Sequence, residues 1–298
     1  MSAVRLDVTP YSELHLGHVW VGWQAAQWAL ARGCEFLLRF DDAAYWRGDV
    51  GLQSWSLPHA AERFLDDFAW LEIVPDRLRY TSEVNEEVRH AAHLLGIREP
   101  QPGDGRGGSG LVLLKGNGAI ANWHSWGALV QVVSDHANRV VQIVRGQELV
   151  AQEQLYWYFW ARLYGGLPPV LTYVKLVWRY GAGEKESKSS GVGISVRDLR
   201  AAGYTPEEII GTLRECDRRS MEPDVTLRPE HLGIPAGILE PGTHGVLEFQ
   251  DPTLPGHLLE VRGKLWEEDV RALLLERYGY LPDLPQVPEA PELTLGKK

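Results

Sequence analysis

Val4-Arg5-Leu6-Asp7-Val8-Thr9-Pro10-Tyr11-Ser12-Glu13-Leu14-His15-Leu16-Gly17-His18 decides the fold. Its first five residues alternate apolar and polar, the period of a strand with one face on a core. Thr9 to Ser12 reads as a turn. From Gly17 to Arg32, Ala, Trp, Leu and Val recur on one helical face, and Gly33 suits the left-handed position that ends a helix. Glu35 to Phe40 is a second strand, with Asp41 and Asp42 at its C-terminal end. Strand, helix and strand in this order predict an α/β fold built on a Rossmann-like parallel sheet. Ligand-binding residues are then expected at the carboxyl ends of the strands.

Outward from that unit, Pro58 to Leu71 and Glu86 to Leu95 read as helices, Arg79 to Ser82 as a short strand or turn. Leu111 to Leu114 and Val140 to Gly146 read as strands. A long helix is expected over Glu148 to Tyr164, a strand over Val174 to Arg179, and a short helix over Val196 to Tyr204. Thr205-Pro206-Glu207-Glu208 is a helix start, with Thr as cap, Pro at the first position and Glu three residues after the cap. Leu265 to Tyr278 reads as a final helix, followed by a proline-rich tail. Pro102 to Gly110 is glycine-rich but is followed by no Lys-Ser or Lys-Thr, so it reads as a surface loop rather than a phosphate cradle.

Composition narrows the chemistry. The 298 residues can bury a full core, and no apolar run reaches membrane length. The start, MSAVRLDVTP, has no apolar stretch after its charge, so a cytoplasmic protein without a membrane partner is expected. Cys34 and Cys216 are the only cysteines, which excludes a disulfide framework and a four-cysteine zinc site; no residue is assigned as a metal ligand. A formal net charge of −10 argues against an extended grip on nucleic acid, though not against a local basic patch. The 12 tryptophans, including Trp20, Trp23, Trp28, Trp157 and Trp160, read as core and groove lining.

Two short motifs carry the chemistry. His15-Leu16-Gly17-His18 opens a helix, where backbone N–H groups and the helix dipole favour phosphate. Gly17 allows close approach of a nucleotide, and the two imidazoles can stabilise charge developing at phosphorus. Alone, the tetrapeptide is better read as two satisfied histidines on a turn. Lys185-Glu186-Ser187-Lys188-Ser189 lies between Gly183 and Gly191. It can close two ammonium groups on a leaving pyrophosphate, or it can be a solvated basic loop.

Together the motifs resemble the His-Ile-Gly-His and Lys-Met-Ser-Lys-Ser signatures of class I aminoacyl-tRNA synthetases. Arg5, Pro10, Leu14 to His18, Arg39 to Asp42, Asp135-His136, Ile143 to Gly146, Asp198 to Arg200 and Gly203 to Glu207 are similar to the glutamyl branch, in the right order. The resemblance covers about Val4 to Leu213 with a gap. It implies ATP and Mg2+ as cofactors, with His15, His18, Lys185 and Lys188 acting on the phosphates. It also implies that Gly17, Glu148, Ser187 and Ser189 lie at the nucleotide. The resemblance further implies that Arg5 and Arg145 hold the carboxylates of a glutamate-like amino acid and that Asp41 takes its amino group. Trp123 or Trp126 is the candidate for the substrate side chain, within Asn122 to Val132, a stretch that reads as an insertion.

Several departures shape the expected function. The segment between Tyr80 and Leu111, much longer in the family and packed there on the tRNA acceptor end, is reduced to one helix and the glycine loop. No separate anticodon-reading domain follows. The expected organisation is a Rossmann-like catalytic domain over 1–195, with the reduced insertion at 80–122. A helical segment follows over 196–245, then an appendage over 246–298. The resemblance thus implies a stand-alone, truncated ligase, similar to the glutamyl-queuosine tRNA synthetase-like proteins. It would form an aminoacyl-adenylate and pass it to a small molecule, a carrier or a modified tRNA nucleoside. Two alternatives are a conventional minimal glutamate–tRNA ligase, with tRNA as partner, and a non-catalytic protein binding nucleotide or amino acid.

Overall fold

The computed structural model describes residues 1–10, 13–42, 57–99, 112–114, 118–120, 123–146, 153–165, 168–174, 176–178, 195–219, 225–227 and 264–266, and positions 272, 276 and 277. The chain begins with β1 (Ala3–Val8), α1 (Leu16–Arg32) and β2 (Glu35–Phe40). Then come α2 (Leu57–Trp70), β3 (Arg77–Tyr80), a 3-10 turn (Thr81–Val84) and α3 (Asn85–Leu95). Three short strands follow, β4 (Ile97–Arg98), β5 (Val112–Leu114) and β6 (Gly118–Ile120), and then α4 (Trp123–Ala137), β7 (Val140–Gly146) and α5 (Glu153–Leu163). The remainder is β8 (Val170–Val174), β9 (Leu176–Trp178), α6 (Val196–Ala201), α7 (Pro206–Arg219), β10 (Val225–Leu227) and β11 (Lys264–Trp266).

The main sheet runs β10-β8-β7-β1-β2-β3, with β10 antiparallel to β8 and the other five strands parallel. This is the α/β, Rossmann-like architecture expected from the opening residues. Strand alternation divides the side chains of β1 and β2 between two layers. Val4, Leu6, Val8, Phe36, Leu38 and Phe40 join the buried cluster that contains Val19 and Trp20 of α1, Phe64 and Phe68 of α2 and Leu213 of α7. Ala3 and Leu37 join the opposite cluster, with Leu129 and Val133 of α4 and Trp157 and Phe159 of α5. The chain leaves β1 through α1 toward β2 on one side, whereas β7 continues through α5 to β8 on the other. The carboxyl ends of β1 and β7 therefore form the topological switch point, where such sheets bind ligands.

Helix ends follow local chemistry. Gly33 and Gly96 close α1 and α3 at φ 61° and 67°, a region open to glycine. At the start of α7 the Glu208 N–H donates to Thr205 Oγ1 (3.3 Å) and the Thr205 N–H to Glu208 Oε2 (2.7 Å), the reciprocal cap read from the sequence.

Trp123–Ala137, which takes in most of the stretch where an insertion is expected, forms α4 and packs on α5 and β7. Three expectations change. The strand expected over Val174 to Arg179 is divided: β8 ends at Val174 and β9 spans Leu176–Trp178, paired in parallel with β11. That second pairing displaces the start of the helix expected from Leu265, because Lys264–Trp266 is extended; Ala272, Glu276 and Arg277 are helical. Finally, between Tyr80 and Leu111 the described residues hold a 3-10 turn and β4 besides α3. Strands β4, β6 and β5 form a small sheet, in that order. The glycine-rich stretch Pro102 to Gly110 lies outside the described residues, and so does the tail beyond Arg277. Among the described residues, no helix is long and apolar enough to cross a membrane.

Candidate active site

The His15-to-His18 turn sits just past the carboxyl end of β1. His15 is the N-cap of α1, with extended backbone, and its Nδ1 accepts a hydrogen bond from the Gly17 N–H at 3.1 Å. In that arrangement Nδ1 is the acceptor and Nε2 carries the hydrogen, so the ring can present a donor to an anion. His18, one turn into the helix, stacks on His15 with 3.8 Å between ring centroids and 28° between planes. Phe64 of α2 meets the His18 ring edge at 5.4 Å. Both histidines are half-buried and Gly17 lies between them.

The turn is fastened to a distant part of the chain. His15 forms an antiparallel backbone bridge with Ser195, and the Val196 N–H donates to the Leu14 carbonyl at 2.8 Å. Ser195 caps α6: its Oγ accepts from the Asp198 N–H at 3.1 Å and donates to Asp198 Oδ2 at 2.7 Å. Lys185, Ser187, Lys188 and Ser189 lie outside the described residues, as does Glu148. The chain re-enters the described structure six residues after Ser189, against His15.

A buried charge network covers the other face of β1. Arg5, Asp7 and Arg39 share that face, because β1 alternates and the parallel register sets Asp7 beside Arg39. Asp135 reaches the same place from α4. Arg39 donates from Nε to Asp7 Oδ1 at 2.7 Å, from Nη2 to Asp7 Oδ2 at 2.6 Å, and from Nη1 to Asp135 Oδ1 at 2.9 Å. Arg5 donates from Nη2 to Asp135 Oδ2 at 2.8 Å and is ion-paired with Asp7 through Nη1. The Tyr156 hydroxyl donates to Asp135 Oδ2 at 2.9 Å. Two cations and two anions compensate one another, the condition for charges to persist in a core.

Titration follows from the same contacts. Burial alone would raise the Asp7 carboxyl, but the guanidinium groups of Arg39 and Arg5 outweigh it and hold Asp7 below its ordinary value. Burial and the Asp135 carboxylate push Tyr156 well above the usual phenol, so it remains a donor. Arg145, at the end of β7, is buried, donates to Gln131 Oε1 at 3.3 Å and lies 5.7 Å from the centroid of the Tyr173 ring. Burial pushes Tyr173 up to about 12, although the Arg145 charge opposes the rise.

The two carboxylates after β2 have different surroundings. Asp42 is buried and accepts from the Thr81 hydroxyl (2.5 Å), the Ser82 N–H (3.0 Å) and the Ser82 hydroxyl (2.5 Å), which ties β2 to the turn after β3. Asp41 is half-buried, with a longer contact from the Thr81 hydroxyl at 3.4 Å. Of the aromatic candidates, Trp123 is the first residue of α4 and its side chain lies outside the described residues, while Trp126 packs against the core.

Asp41, Arg145, His15, Gly17 and His18 thus lie toward the carboxyl ends of the strands, whereas Arg5 lies in the middle of β1, committed to Asp135 and Asp7. Sequence reasoning missed Asp7 and Arg39 as site residues, Tyr156 as the partner of Asp135 and Gln131 as that of Arg145. The signal for Asp7 and Arg39 is opposite charge on neighbouring strands, which only the register reveals. Among the described residues, no group of three His, Cys, Asp or Glu could hold a metal ion. A Mg2+ carried by nucleotide phosphates fits this setting, since it retains waters and phosphate oxygens and needs no protein cage.

Glutamate–tRNA ligases from two strains of Treponema pallidum are each 36% identical to the chain over 100 residues, which is 33% of this chain. The matched stretch is only 17% of the length of those ligases. In fold, a glutamate tRNA ligase from Elizabethkingia meningosepticum, solved in complex with its amino acid, superposes with a TM-score of 0.54 at 15% identity. That alignment covers 91% of this chain and 68% of the other. No protein-family model matches the chain. In sequence and in fold, the chain is similar to the class I glutamyl-tRNA synthetase catalytic domain.

Proposed function

We propose that this synthetase-like chain activates an amino acid of the glutamate size class with ATP and passes the acyl group to an acceptor. One observation carries the reading: the stacked His15 and His18, opening α1 at the switch point, are joined by backbone to Ser195, which follows the lysine–serine stretch. Six residues lie between Lys188 and Ser195 and nine between Lys185 and Ser195, reaches of at most about 25 and 36 Å. Those lengths are compatible with both lysines meeting a polyphosphate held at the histidine turn.

In the proposed reaction a substrate carboxylate oxygen bonds to the α-phosphorus of ATP. The bond from that phosphorus to the bridging oxygen of pyrophosphate breaks, and pyrophosphate leaves with its electron pair. The carboxylate is already ionised, so no side chain is required as a base. His15 and His18 stabilise the charge growing on the α-phosphate, and Lys185 and Lys188 the charge on the leaving group. Mg2+ bound to the phosphates supplies further charge neutralisation. Arg145 holds the substrate carboxylate and Asp41 its amino group, with Glu148, Ser187 and Ser189 beside the nucleotide.

The acceptor we favour is a small molecule, a carrier or a modified nucleoside, because the 80–122 segment is short and the net charge is −10. Transfer to tRNA is the second reading, favoured by the similarity to glutamate–tRNA ligases. Amino-acid-dependent ATP–pyrophosphate exchange, run over a panel of amino acids with and without tRNA, tests both. Exchange without tRNA supports the first reading, and a strict tRNA requirement with charged tRNA as product supports the second. No exchange under either condition rejects both.

A further inference from the structure

Asp7 is held by two arginines, Arg39 and Arg5. Arg39 grips it side-on through Nε and Nη2, at 2.7 and 2.6 Å, the forked geometry a guanidinium offers to a carboxylate. The remaining Arg39 nitrogen is on Asp135, and Arg5 places Nε and Nη2 on Asp135 and Nη1 on Asp7. The side chains of Arg5, Arg39 and Asp135 are at most 1% exposed, whereas that of Asp7 is 21% exposed. Asp7 is therefore the solvent-facing member of the network, between the two arginine forks and the binding edge of the sheet.

We propose that Asp7 determines specificity: it is an internal carboxylate that replaces a substrate side-chain carboxylate on Arg5 and Arg39, so the preferred amino acid has an uncharged side chain. This rests on the activation reading above and narrows its substrate class. Charge balance supports it. Arg5, Arg39 and Arg145 supply three positive charges here, and Asp7, Asp135, Asp41 and the buried Asp42 four negative ones. A zwitterion with an uncharged side chain leaves that balance intact, its carboxylate on Arg145 and its ammonium on Asp41. A second carboxylate would add an uncompensated negative charge beside Asp7, in surroundings where little water screens it. A substrate with an acidic side chain must either displace Asp7 from two arginines or accept that repulsion.

The test uses the full chain and the variants Asp7→Asn and Asp7→Ala, each checked for folding by thermal unfolding. The kcat/KM for ATP–pyrophosphate exchange is measured with glutamate, glutamine and other uncharged amino acids, with total tRNA added and omitted. The wild type is expected to use an uncharged amino acid at least tenfold better than glutamate, and the variants to move that ratio at least tenfold toward glutamate. A wild-type preference for glutamate, or an unchanged ratio in folded variants, overturns the proposal. Should neither variant fold, the wild-type preference decides alone. If no amino acid supports exchange, the activation reading fails, and calorimetric titration with glutamate and glutamine then decides the role of Asp7 by itself. Tighter glutamate binding by the variants than by the wild type supports it; equal binding, or none by either, overturns it.

Discussion

His15 and Ser195 pair through their backbones, so the first turn of α1 and the first turn of α6 are held together at one edge of the sheet. Both residues are N-caps. Ser195 does double duty, accepting from the Asp198 N–H and donating to the Asp198 carboxylate. Replacing Ser195 by Ala removes the cap at a place where the free helix end would face the histidine turn. The loss expected is about 1 kcal/mol, read as a lower urea midpoint at unchanged m. A midpoint equal to wild type would show that the backbone bridge holds α6 without the cap.

Lys188→Ala tests the phosphate chemistry directly. A preorganised charge on a leaving group acts mainly in the transition state, so adenylate formation should slow by about two orders of magnitude with little change in KM for the amino acid. His18→Ala should also lower the rate, because the His15–His18 stack at 3.8 Å positions both imidazoles. Wild-type exchange by the Lys188 variant would remove the lysine–serine stretch from the mechanism.

Gly22 lies in the middle of α1, where alanine would ordinarily be the better helix former by about 1 kcal/mol. Here packing reverses the sign. A methyl on Gly22 would come within 2.6 Å of Phe68 Cζ, and Phe68 is fully buried between Phe64 and the core. The ring has no room to retreat, so Gly22→Ala should destabilise the fold by about 1–3 kcal/mol despite its helix propensity. Thermal unfolding of this variant reports which effect prevails.

The start of the fold is legible in the sequence because local signals agree. β1 alternates, α1 keeps its apolar face, and Gly33 ends it in the left-handed conformation. α4 is less legible, since Leu129-Val130-Gln131-Val132-Val133 is rich in β-branched residues and suits a buried strand as well as a helix. Lys264–Trp266 is extended because it pairs with β9, a partner far away in the chain that no local pattern announces. The site divides in the same way. The histidine turn is contiguous and visible as a motif. Asp7, Arg39, Asp135 and Tyr156 become one network only when strand register and the packing of α4 and α5 bring them together.

The same network makes stability depend on pH through Asp7. Burial works against the Asp7 carboxylate, but Arg39 and Arg5 more than offset it, so folding lowers the Asp7 pKa. A lowered carboxyl contributes its full stabilisation above the unfolded value of about 3.9 and loses it as pH falls through the folded value, because the unfolded chain takes up the proton first. Asp7→Asn removes that contribution while retaining the shape of the side chain. At pH 7 the variant should be less stable by about 2–4 kcal/mol, since two buried guanidinium groups lose one of their two counter-charges. Below about pH 4 the gap should narrow, because the unfolded wild-type chain then takes up a proton at Asp7 that the folded protein still resists. Urea unfolding at pH 7 and pH 3 checks both statements; a gap that stays constant or widens toward acid would mean that Asp7 is not held ionised by Arg5 and Arg39.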